Sequence, residues 1–451
     1  MQRNKIFYII LLIIGYFLLP KSAYAILYGF IPNSNENNVS VIRMTDLSLI
    51  TKVPVGNSPC GVAISPFGRY VYVTNQNSTF FSVIDTSDYS VTNIDIGVNS
   101  HGIALSYGGS FLYITCSDND KVLVLESSGE HNLVWDIPVG KSPYGIDISL
   151  DGGFLYVANR NSKSISIVSL YEGLVVKEVT LEGSPYGVIG SADGQYLYVA
   201  STETNSFSII NTLDEYSINS FYIGLSPISV VNSPDGTKIY VTCANSNKVS
   251  VIDSTTFLLI KEFINIGQSP WGMTFSPDGL YSYVINQGDG TVSIINTNDG
   301  SINKVYSGDS PLGLGKFTKD IIDTPSDLTA HAESGYVVQL NWKDNSSDED
   351  GFIIERRING IYAEISRVDA NCVSFTHTKL RPDSEYSYMV IAYKNNGSYS
   401  EYSNEAEVFT PSDNKCFISV CQKQINSAGI IIFYFILVFI GLSAKYIDDK
   451  K

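Results

Sequence analysis

One short motif recurs at a nearly constant interval through most of the chain. Close variants of Gly-x-Ser-Pro-x-Gly occur seven times between residues 56 and 313, and the Pro or Ser within the motif recurs every 41 to 43 residues. That position is occupied by Pro59, Ser100, Pro143, Pro185, Pro227, Pro270 and Pro311. A fixed period of this length marks repeat architectures, in which each unit buries its faces against its neighbours. The period therefore predicts seven stacked copies of one supersecondary unit.

Each repeat carries the pattern of four short strands. An apolar run such as 61–64 is followed by a Ser-Pro-Asp-Gly-type turn such as 233–236, and then by a β-branched and aromatic run such as 72–75. An alternating run such as 250–253 and an apolar stretch such as 259–266 complete the unit. No window has the length and the 3.6-residue period of a globular helix. Each unit is therefore predicted to be a four-stranded antiparallel sheet.

Radial stacking of such sheets predicts a seven-bladed β-propeller, an all-β fold. The first mature segments, 27–31, 39–44 and 50–55, supply only the last three strands of a unit. Residues 312–317 supply only the first strand. We therefore expect the two ends of the repeat region to complete one blade together, which removes the free sheet edges that invite aggregation.

The β-branched and aromatic run of each repeat resembles the Tyr-Val-Thr-Asn signature of the YVTN-family β-propellers, which are found in surface-layer and other exported proteins of bacteria and archaea. The matching segments are 72–75, 113–116, 156–159, 198–201, 240–243 and 283–286. The likeness covers residues 26 to about 318 and implies the propeller fold. Similar propellers host lactonases, quinoprotein-like dehydrogenases and plain interaction modules, so the resemblance leaves the function open.

The chemistry of the motif agrees with a propeller. Tyr and Val suit a pleated, half-buried surface, and the Asn or Ser that ends the run is expected to bond its own backbone and start the next turn. The Gly of each Pro-x-Gly is expected to let the innermost strand pack closely against the central channel.

The two ends of the chain predict export and anchoring. Arg3 and Lys5 precede an apolar stretch over 6–19, and residues 23–25 (Ala-Tyr-Ala) form a signal-peptidase site, so the mature chain is expected to start at Ile26. Residues 428–444 contain no charge and are long enough, as a helix, to cross a bilayer core at its lower limit. The sequence thus predicts an extracytoplasmic protein, at the cell surface or in the periplasm, anchored by one C-terminal transmembrane helix.

A second domain is expected between the propeller and the anchor. Trp342 in an early strand, a later tyrosine corner, and the Leu-x-Pro and Tyr-x-x-x-Val-x-Ala patterns of 380–392 are similar to fibronectin type III β-sandwiches. The predicted boundaries are a signal peptide at 1–25, a propeller at 26–320, a fibronectin type III domain at 324–411, a linker at 412–427, a transmembrane helix at 428–444 and a cytoplasmic tail at 445–451.

Charge and cysteine content restrict the partners and the covalent chemistry. The net charge of -16 disfavours nucleic acid as a partner. Cys116 and Cys243 lie in units three blades apart and are expected to be too distant to pair, and Cys60 and Cys372 are expected to be buried small apolar residues. Residues 416 and 421 are the one cysteine pair that could bond locally.

The sequence contains few of the patterns that carry catalysis or metal binding. The four histidines (His101, His131, His331 and His377) have no metal-ligand spacing, and no nucleophile elbow or phosphate-binding loop occurs. The acidic residues of 344–355 alternate as in a calcium loop, but position 349 is Glu where the sharp turn needs Gly. We therefore expect a solvated acidic loop there, no metal site, no cofactor and no enzyme activity.

A candidate binding surface follows from the repeat geometry. The residue between Pro and Gly precedes each innermost strand, so its seven copies are expected to ring one mouth of the central channel: Cys60, His101, Tyr144, Tyr186, Ile228, Trp271 and Leu312. Varied residues at a fixed position are typical of a binding face, with the three large aromatics as anchors. The alternative is that these side chains wedge between the blades. The ring holds no carboxylate, and Asp147 is the lone acidic residue nearby.

Two interaction-type modules without a catalytic constellation favour a binding or cell-surface interaction protein, with an adhesive or scaffolding role. The expected partners are a protein or glycan at the cell surface, together with the membrane through the C-terminal helix. The alternatives are a propeller enzyme of the lactonase or quinoprotein-dehydrogenase type, and a structural surface-layer component.

Overall fold

The computed structural model describes residues 27–412, except 107, 150, 314, 316, 321, 347, 348, 359, 360 and 395–398. The main boundary between the two compact units of the chain lies between Ile322 and Asp323. Both units are built from strands, and each is described below by itself.

The first unit consists of seven four-stranded antiparallel sheets, which we call blades 1 to 7. The strands of blades 1, 2 and 3 are Pro59–Ile64, Tyr70–Asn75, Phe80–Asp85 and Val91–Asp95; Ile103–Leu105, Phe111–Cys116, Lys121–Glu126 and Leu133–Pro138; and Pro143–Ile148, Phe154–Asn159, Ser164–Ser169 and Leu174–Thr180. Those of blades 4, 5 and 6 are Pro185–Gly190, Tyr196–Ser201, Ser206–Asn211 and Ile218–Tyr222; Pro227–Asn232, Lys238–Cys243, Lys248–Asp253 and Leu259–Ile264; and Pro270–Phe275, Tyr281–Asn286, Thr291–Asn296 and Ile302–Tyr306. Those of blade 7 are Thr318–Asp320, Leu27–Asn33, Asn38–Arg43 and Ser48–Pro54. One 3-10 turn, Ala244–Ser246, lies in blade 5.

The hydrophobic core lies between successive blades. In blade 1, Tyr72 and Phe81 pack with Leu112 and Ile114 of blade 2 in one buried cluster. The second and third strands are buried along most of their length, whereas the fourth strands are mostly exposed. Because both faces of the middle strands are covered, their runs of Tyr, Val and Ile are stabilised only when the blades stack.

The ring closes through blade 7, as the sequence predicts, but the closing strand lies later in the chain than expected. The regular strand is Thr318–Asp320, which pairs antiparallel with 27–29. The expected segment 312–317 contributes an isolated bridge from Pro311 to Asn33 and single backbone hydrogen bonds at Leu312 and Phe317. Gly315 has a φ of +102°, which interrupts an extended strand there. The prediction of closure was therefore confirmed, whereas the regular part of the closing strand begins one residue after the predicted segment ends.

The Asn of the Tyr-Val-Thr-Asn run bonds to nearby backbone as predicted in blade 1, where Asn75 Nδ2 donates to the Phe80 carbonyl at 3.1 Å, and it also bonds to side chains of the next strand. Asn159 Nδ2 donates to Ser164 Oγ at 3.2 Å and to Ser166 Oγ at 2.8 Å, both on the next strand. Asn286 makes the equivalent bond to Ser293 at 2.9 Å. The Asn side chain is fully buried, so its amide group must find hydrogen-bond partners within the protein. By bonding to the next strand it joins two strands of the blade.

The second unit is a two-sheet sandwich. One sheet contains Ser326–Ser334, Val337–Lys343 and Ser374–His377, and the other contains Ile361–Asp369, Gly351–Ile358, Ser384–Tyr393, Tyr399–Tyr402 and Ala406–Thr410. Trp342 is buried against Phe352, with 5.6 Å between ring centroids. The Arg381 amide donates to the Tyr386 hydroxyl at 2.8 Å. The early Trp and the tyrosine corner expected of a fibronectin type III module are thus both present.

Several expectations fall on residues that the structure does not describe. These are the signal peptide 1–25, the cysteines at 416 and 421, the transmembrane helix 428–444 and the tail 445–451. Within the described part of the chain, no helix has the length and hydropathy needed to cross a membrane.

Candidate functional site

A bulge at the start of the innermost strands places the predicted ring residues. In blade 1, Pro59 pairs with Asn75 and Val62 pairs with Val73, so two residues, Cys60 and Gly61, lie opposite one. Blades 3, 5 and 6 have the same register shift. A bulge bends its strand and re-aims the side chain at that point, which turns the residue between Pro and Gly out of the regular pleat.

The backbone of these ring residues is held by the preceding blade. Thr115 of blade 2 donates its hydroxyl to the Tyr144 carbonyl at 2.9 Å, and Thr242 of blade 5 donates to the Trp271 carbonyl at 2.7 Å. A Cβ on Gly145 would collide with the Tyr186 carbonyl oxygen. The glycine therefore allows neighbouring blades to pack closely. The sequence pattern had instead predicted that it allows close packing against the channel. The ring backbone is fixed while its side chains remain free to differ.

Four of the seven predicted ring residues meet at one end of the channel. The ring centroids of His101 and Tyr144 are 5.1 Å apart, and those of Tyr144 and Tyr186 are 4.9 Å apart. The Tyr186 and Trp271 centroids are 6.0 Å apart in an edge-to-face arrangement, although their blades are two positions apart. Geometries of this kind stabilise aromatic pairs by about 0.5–1.5 kcal/mol each. The side chains thus reach across the channel end instead of pointing away from it.

Arg160 joins these aromatics and was not predicted. Its guanidinium carbon lies 4.0 Å from the Tyr186 ring centroid and 5.2 Å from that of Tyr144. Arg160 directly follows the Asn159 that ends the repeat motif, and in the other described blades that position holds Ser34, Gln76, Ser117, Thr202, Ala244 and Gln287. A single cation at a repeat position otherwise free of charge was the signal that sequence reasoning missed. We call His101, Tyr144, Arg160, Tyr186 and Trp271 the mouth cluster.

Three nitrogens of the mouth cluster are buried without a hydrogen-bond partner: His101 Nδ1, Arg160 Nε and Trp271 Nε1. A buried polar group left unpaired costs about 1–3 kcal/mol. Burial lowers the pKa of His101 to about 4, so the imidazole is neutral at pH 7. Burial also raises the pKa of the Tyr144 and Tyr186 hydroxyls, which the Arg160 charge opposes only in part. At neutral pH the cluster is therefore one cation among neutral rings.

The other three ring residues are not part of this cluster. Cys60, Ile228 and Leu312 are at most 5% exposed. Cys60 Sγ lies 3.4 Å from Thr74 Oγ1, and burial raises the pKa of its thiol. Of the cluster, Tyr144 is also buried, whereas His101, Tyr186 and Trp271 keep part of their surface exposed. The predicted ring thus contains both a convergent group and a set of buried side chains.

A cavity of about 480 Å³ extends along the channel from the glycines that follow the ring residues. It begins at Gly102, Gly145 and Gly187 and is bounded at the far end of the innermost strands by Pro234 and Pro277. We call it the channel cavity. The mouth cluster therefore lies at the starting end of the strands that form its wall.

Asp147 is the only charged side chain among the described residues that line the channel cavity. Its Oδ2 accepts a hydrogen bond from the Gly190 amide of the next blade at 2.9 Å. The Gly190 carbonyl in turn accepts from Asn232 Nδ2 of blade 5 at 2.7 Å. Burial raises the pKa of Asp147 to about 6, and no neighbouring charge offsets it.

Metal-ligand groups are not found in the part of the chain that the structure describes. No group of three or more His, Cys, Asp or Glu side chains is placed to hold an ion there. In the second unit, Asp344 accepts from the Ser346 amide at 3.0 Å and Glu349 accepts from the Asn371 amide at 2.9 Å. These two carboxylates of the 344–355 segment thus cap backbone amides of their own domain.

Comparison with known proteins supports the two folds separately. Residues 323–409 match the Fibronectin type III domain family. Hydrazine synthase of Kuenenia stuttgartiensis is similar to the chain at 22% identity and a TM-score of 0.56, over 60% of this chain and 92% of that chain. The periplasmic gluconolactonase of Pseudomonas aeruginosa is similar at 16% identity and a TM-score of 0.51, over 63% and 98%. Dihydro-heme d1 dehydrogenase NirN is similar at 14% identity and a TM-score of 0.52, over 66% and 75%. No curated protein sequence matches the chain. At these identities the solved structures share a fold with the chain, and the fold does not determine the function.

Proposed function

We propose that the protein is an extracytoplasmic binding module, anchored to the membrane by its C-terminal segment 428–444, which recognises a protein or glycan at the mouth cluster. In this proposal the fibronectin type III domain is a spacer between the propeller and the membrane, and the protein is not an enzyme. The signal-peptide pattern of 1–25 and the uncharged segment 428–444 support this localisation.

The observation that supports a site at the mouth is the convergence of the cluster. Side chains from blades 2, 3, 4 and 6 meet there, while the surrounding backbone repeats. Tyr, Trp and Arg are the residue types that dominate binding hot spots, because they bury large areas and keep a polar end. The unpaired nitrogens of Arg160 and Trp271 give the cluster donors that an acceptor-rich ligand would satisfy.

Tyr186 and Trp271 are the members to change, since both are partly exposed whereas Tyr144 is buried. The test is binding of the full chain, in detergent, to glycan and protein arrays. We expect the Tyr186→Ala and Trp271→Ala double variant to lose at least about tenfold in affinity for any hit, as is usual when two anchors are removed.

The matched control combines Trp135→Ala with Tyr171→Ala, the same residue types exposed elsewhere on the propeller. That variant should bind as the unmodified chain does. Retained binding in the mouth double variant would exclude the mouth cluster as the site.

The same preparation tests the enzyme alternative. A lactonase of this fold class needs a divalent ion, and a quinoprotein dehydrogenase needs its quinone. Elemental analysis that finds a stoichiometric metal, or an absorbance spectrum that shows a bound quinone, would replace the binding function with a catalytic one. Ordered self-assembly in electron micrographs would instead favour a surface-layer component.

A further inference from the structure

The channel cavity holds one charge without a counter-charge. Asp147 is the single charged side chain among its described lining residues, and the rest of the described lining is backbone, small polar groups and hydrocarbon. Isolated carboxylates in apolar surroundings are unfavourable unless they are paired with a cation or protonated. The cavity therefore has a net preference for positive charge.

The contacts of Asp147 use only part of its capacity. Gly190 N donates to Oδ2 at 2.9 Å, and Gly190 itself has no side chain in the space beside the carboxylate. An asparagine could accept the same amide without carrying a charge. The Gly190 and Ile148 amides favour the charged carboxylate, but burial outweighs them, so capping backbone amides explains the position of the side chain and does not compensate its charge.

The cavity walls restrict which cation would bind. Ile146, Val188, Val230, Met273 and Phe275 supply hydrocarbon around the carboxylate. A divalent metal ion takes several oxygen ligands, usually with more than one carboxylate, and Asp147 supplies only one. A volume of about 480 Å³ is that of a small-molecule site. One negative charge beside hydrocarbon walls, in a lining that also holds small polar groups, matches a monovalent ion with a mainly hydrocarbon body.

We propose that the channel cavity is a binding site for a small monovalent organic cation, an ammonium group on an apolar body, with the Asp147 carboxylate as its counter-ion. The ammonium lies against Asp147, and the body packs on the apolar walls. The site is separate from the mouth cluster, whose charged member is a cation, Arg160. It does not depend on ligand binding at the mouth.

Isothermal titration calorimetry on the full chain in detergent at pH 8 tests this site. The probe is phenethylammonium chloride, with 2-phenylethanol as the neutral comparator and 3-phenylpropionate as the anionic one. We expect the ammonium to bind at least about tenfold more tightly than the alcohol, and the carboxylate not to bind, because a desolvated charge discriminates strongly between signs. Equal binding of all three compounds, or binding of none at millimolar concentration, would overturn the proposal.

Asp147→Asn identifies the location, since it keeps the acceptor for Gly190 and removes the charge. This variant should lose at least about tenfold in ammonium affinity. The control is Asp95→Asn, an exposed carboxylate that likewise accepts one backbone amide, from Gly97 at 3.0 Å; its affinity should be unchanged. Unchanged ammonium affinity in Asp147→Asn would place the binding elsewhere and reject the cavity. The charge series on the unmodified chain decides the question independently of how the variant folds.

Discussion

The two ends of the same innermost strands carry opposite chemistry. At the starting end, Arg160 lies over the Tyr186 ring within a group of neutral aromatics. Within the cavity, Asp147 is a single anion in a described lining of backbone, small polar groups and hydrocarbon. Only three peptide units of blade 3 separate Tyr144 from Asp147. The repeated backbone is the same at both places, so the difference arises from the side chains alone.

This contrast shows how one repeated backbone carries different chemistry at neighbouring positions. Hydrogen bonds from Thr115 and Thr242 hold the strand starts whatever side chain follows. Substitutions at the ring positions, or at the position of Asp147, therefore change the local chemistry without changing the strand path. Function on such a scaffold is found where a repeat position departs from its copies.

The largest expected effect comes from disturbing the backbone that joins the two sites. Gly145→Ala would push a Cβ into the Tyr186 carbonyl oxygen, which lies at the mouth, and Gly145 also lines the cavity. We expect a loss of about 3 kcal/mol in the free energy of unfolding, because backbone must move to relieve the clash. Urea denaturation followed by tryptophan fluorescence would measure it.

Gly153→Ala is the matched control in the same blade. Its nearest atom would be Asp151 Oδ1 at 3.4 Å, an ordinary contact. A Gly-to-Ala change in an unhindered site alters stability by no more than about 1 kcal/mol. If both variants lost the same amount, close contact between blades would not be what requires Gly145.

The period of the repeat was enough to predict the blades, because the number of residues between successive motifs equals the length of one four-stranded sheet with its turns. Closure of the ring was also predictable, because each end of the repeat region holds only part of a unit. The residues that form the regular closing strand were not predictable. Thr318–Asp320 pairs with 27–29 after an irregular stretch that contains Gly315, and a sequence pattern does not show where such a stretch ends. The repeat period therefore predicts which strands exist, but it does not predict which residues of two strands pair.

The candidate site was predictable only in part. The ring positions follow from counting, but the edge-to-face contact of Tyr186 with Trp271, two blades away, depends on side-chain rotamers. Arg160 enters the cluster from the turn after the second strand of blade 3, so a list of residues at one repeat position could not include it. The repeat period predicts one equivalent residue in each blade, whereas the mouth cluster contains residues from two different positions of the repeat.

The second prediction concerns the cost of the cavity charge. Burial raises the pKa of Asp147 from 3.8 to about 6, so the folded protein holds this proton more tightly than the unfolded chain. The stabilising effect of protonation is complete below pH 4 and is lost as the pH rises through 6. Asp147→Asn should therefore be more stable than the unmodified chain by about 2–3 kcal/mol at pH 8, and roughly half of that at pH 5.

Thermal and urea unfolding at the two pH values would measure this difference. Asp95→Asn serves again as the control, because that side chain is exposed and its replacement should change stability little at either pH. A variant less stable than the unmodified chain at pH 8 would mean that the charge of Asp147 is compensated in the folded protein.

The smallest effect is expected at the mouth, with the opposite dependence on pH. Burial lowers the pKa of His101 from 6.5 to about 4, the Asp118 charge opposes this, and the Arg160 charge adds to it. The unfolded chain binds the His101 proton more readily than the folded protein does. The contribution of neutral His101 to the free energy of unfolding is therefore fully present above pH 6.5 and is lost as the pH falls towards 4. His101→Asn should reduce the loss between pH 7 and pH 5 by about 1 kcal/mol, a value lowered for the partial exposure of the ring.

Between pH 4 and 6 a fall in pH lowers the free energy of unfolding through His101 and raises it through Asp147. The two effects therefore partly cancel in the unmodified chain. The two substitutions must therefore be measured separately and together, and the double variant should lack both contributions. His331→Asn is the matched control, since that histidine is exposed in the second unit, and its pH dependence should follow the unmodified chain. If His101→Asn left the slope between pH 7 and pH 5 unchanged, the imidazole would be solvated in the folded protein. The mouth cluster would then gain a second cation as the pH falls below 6.5, and its description as one cation among neutral rings would no longer hold there.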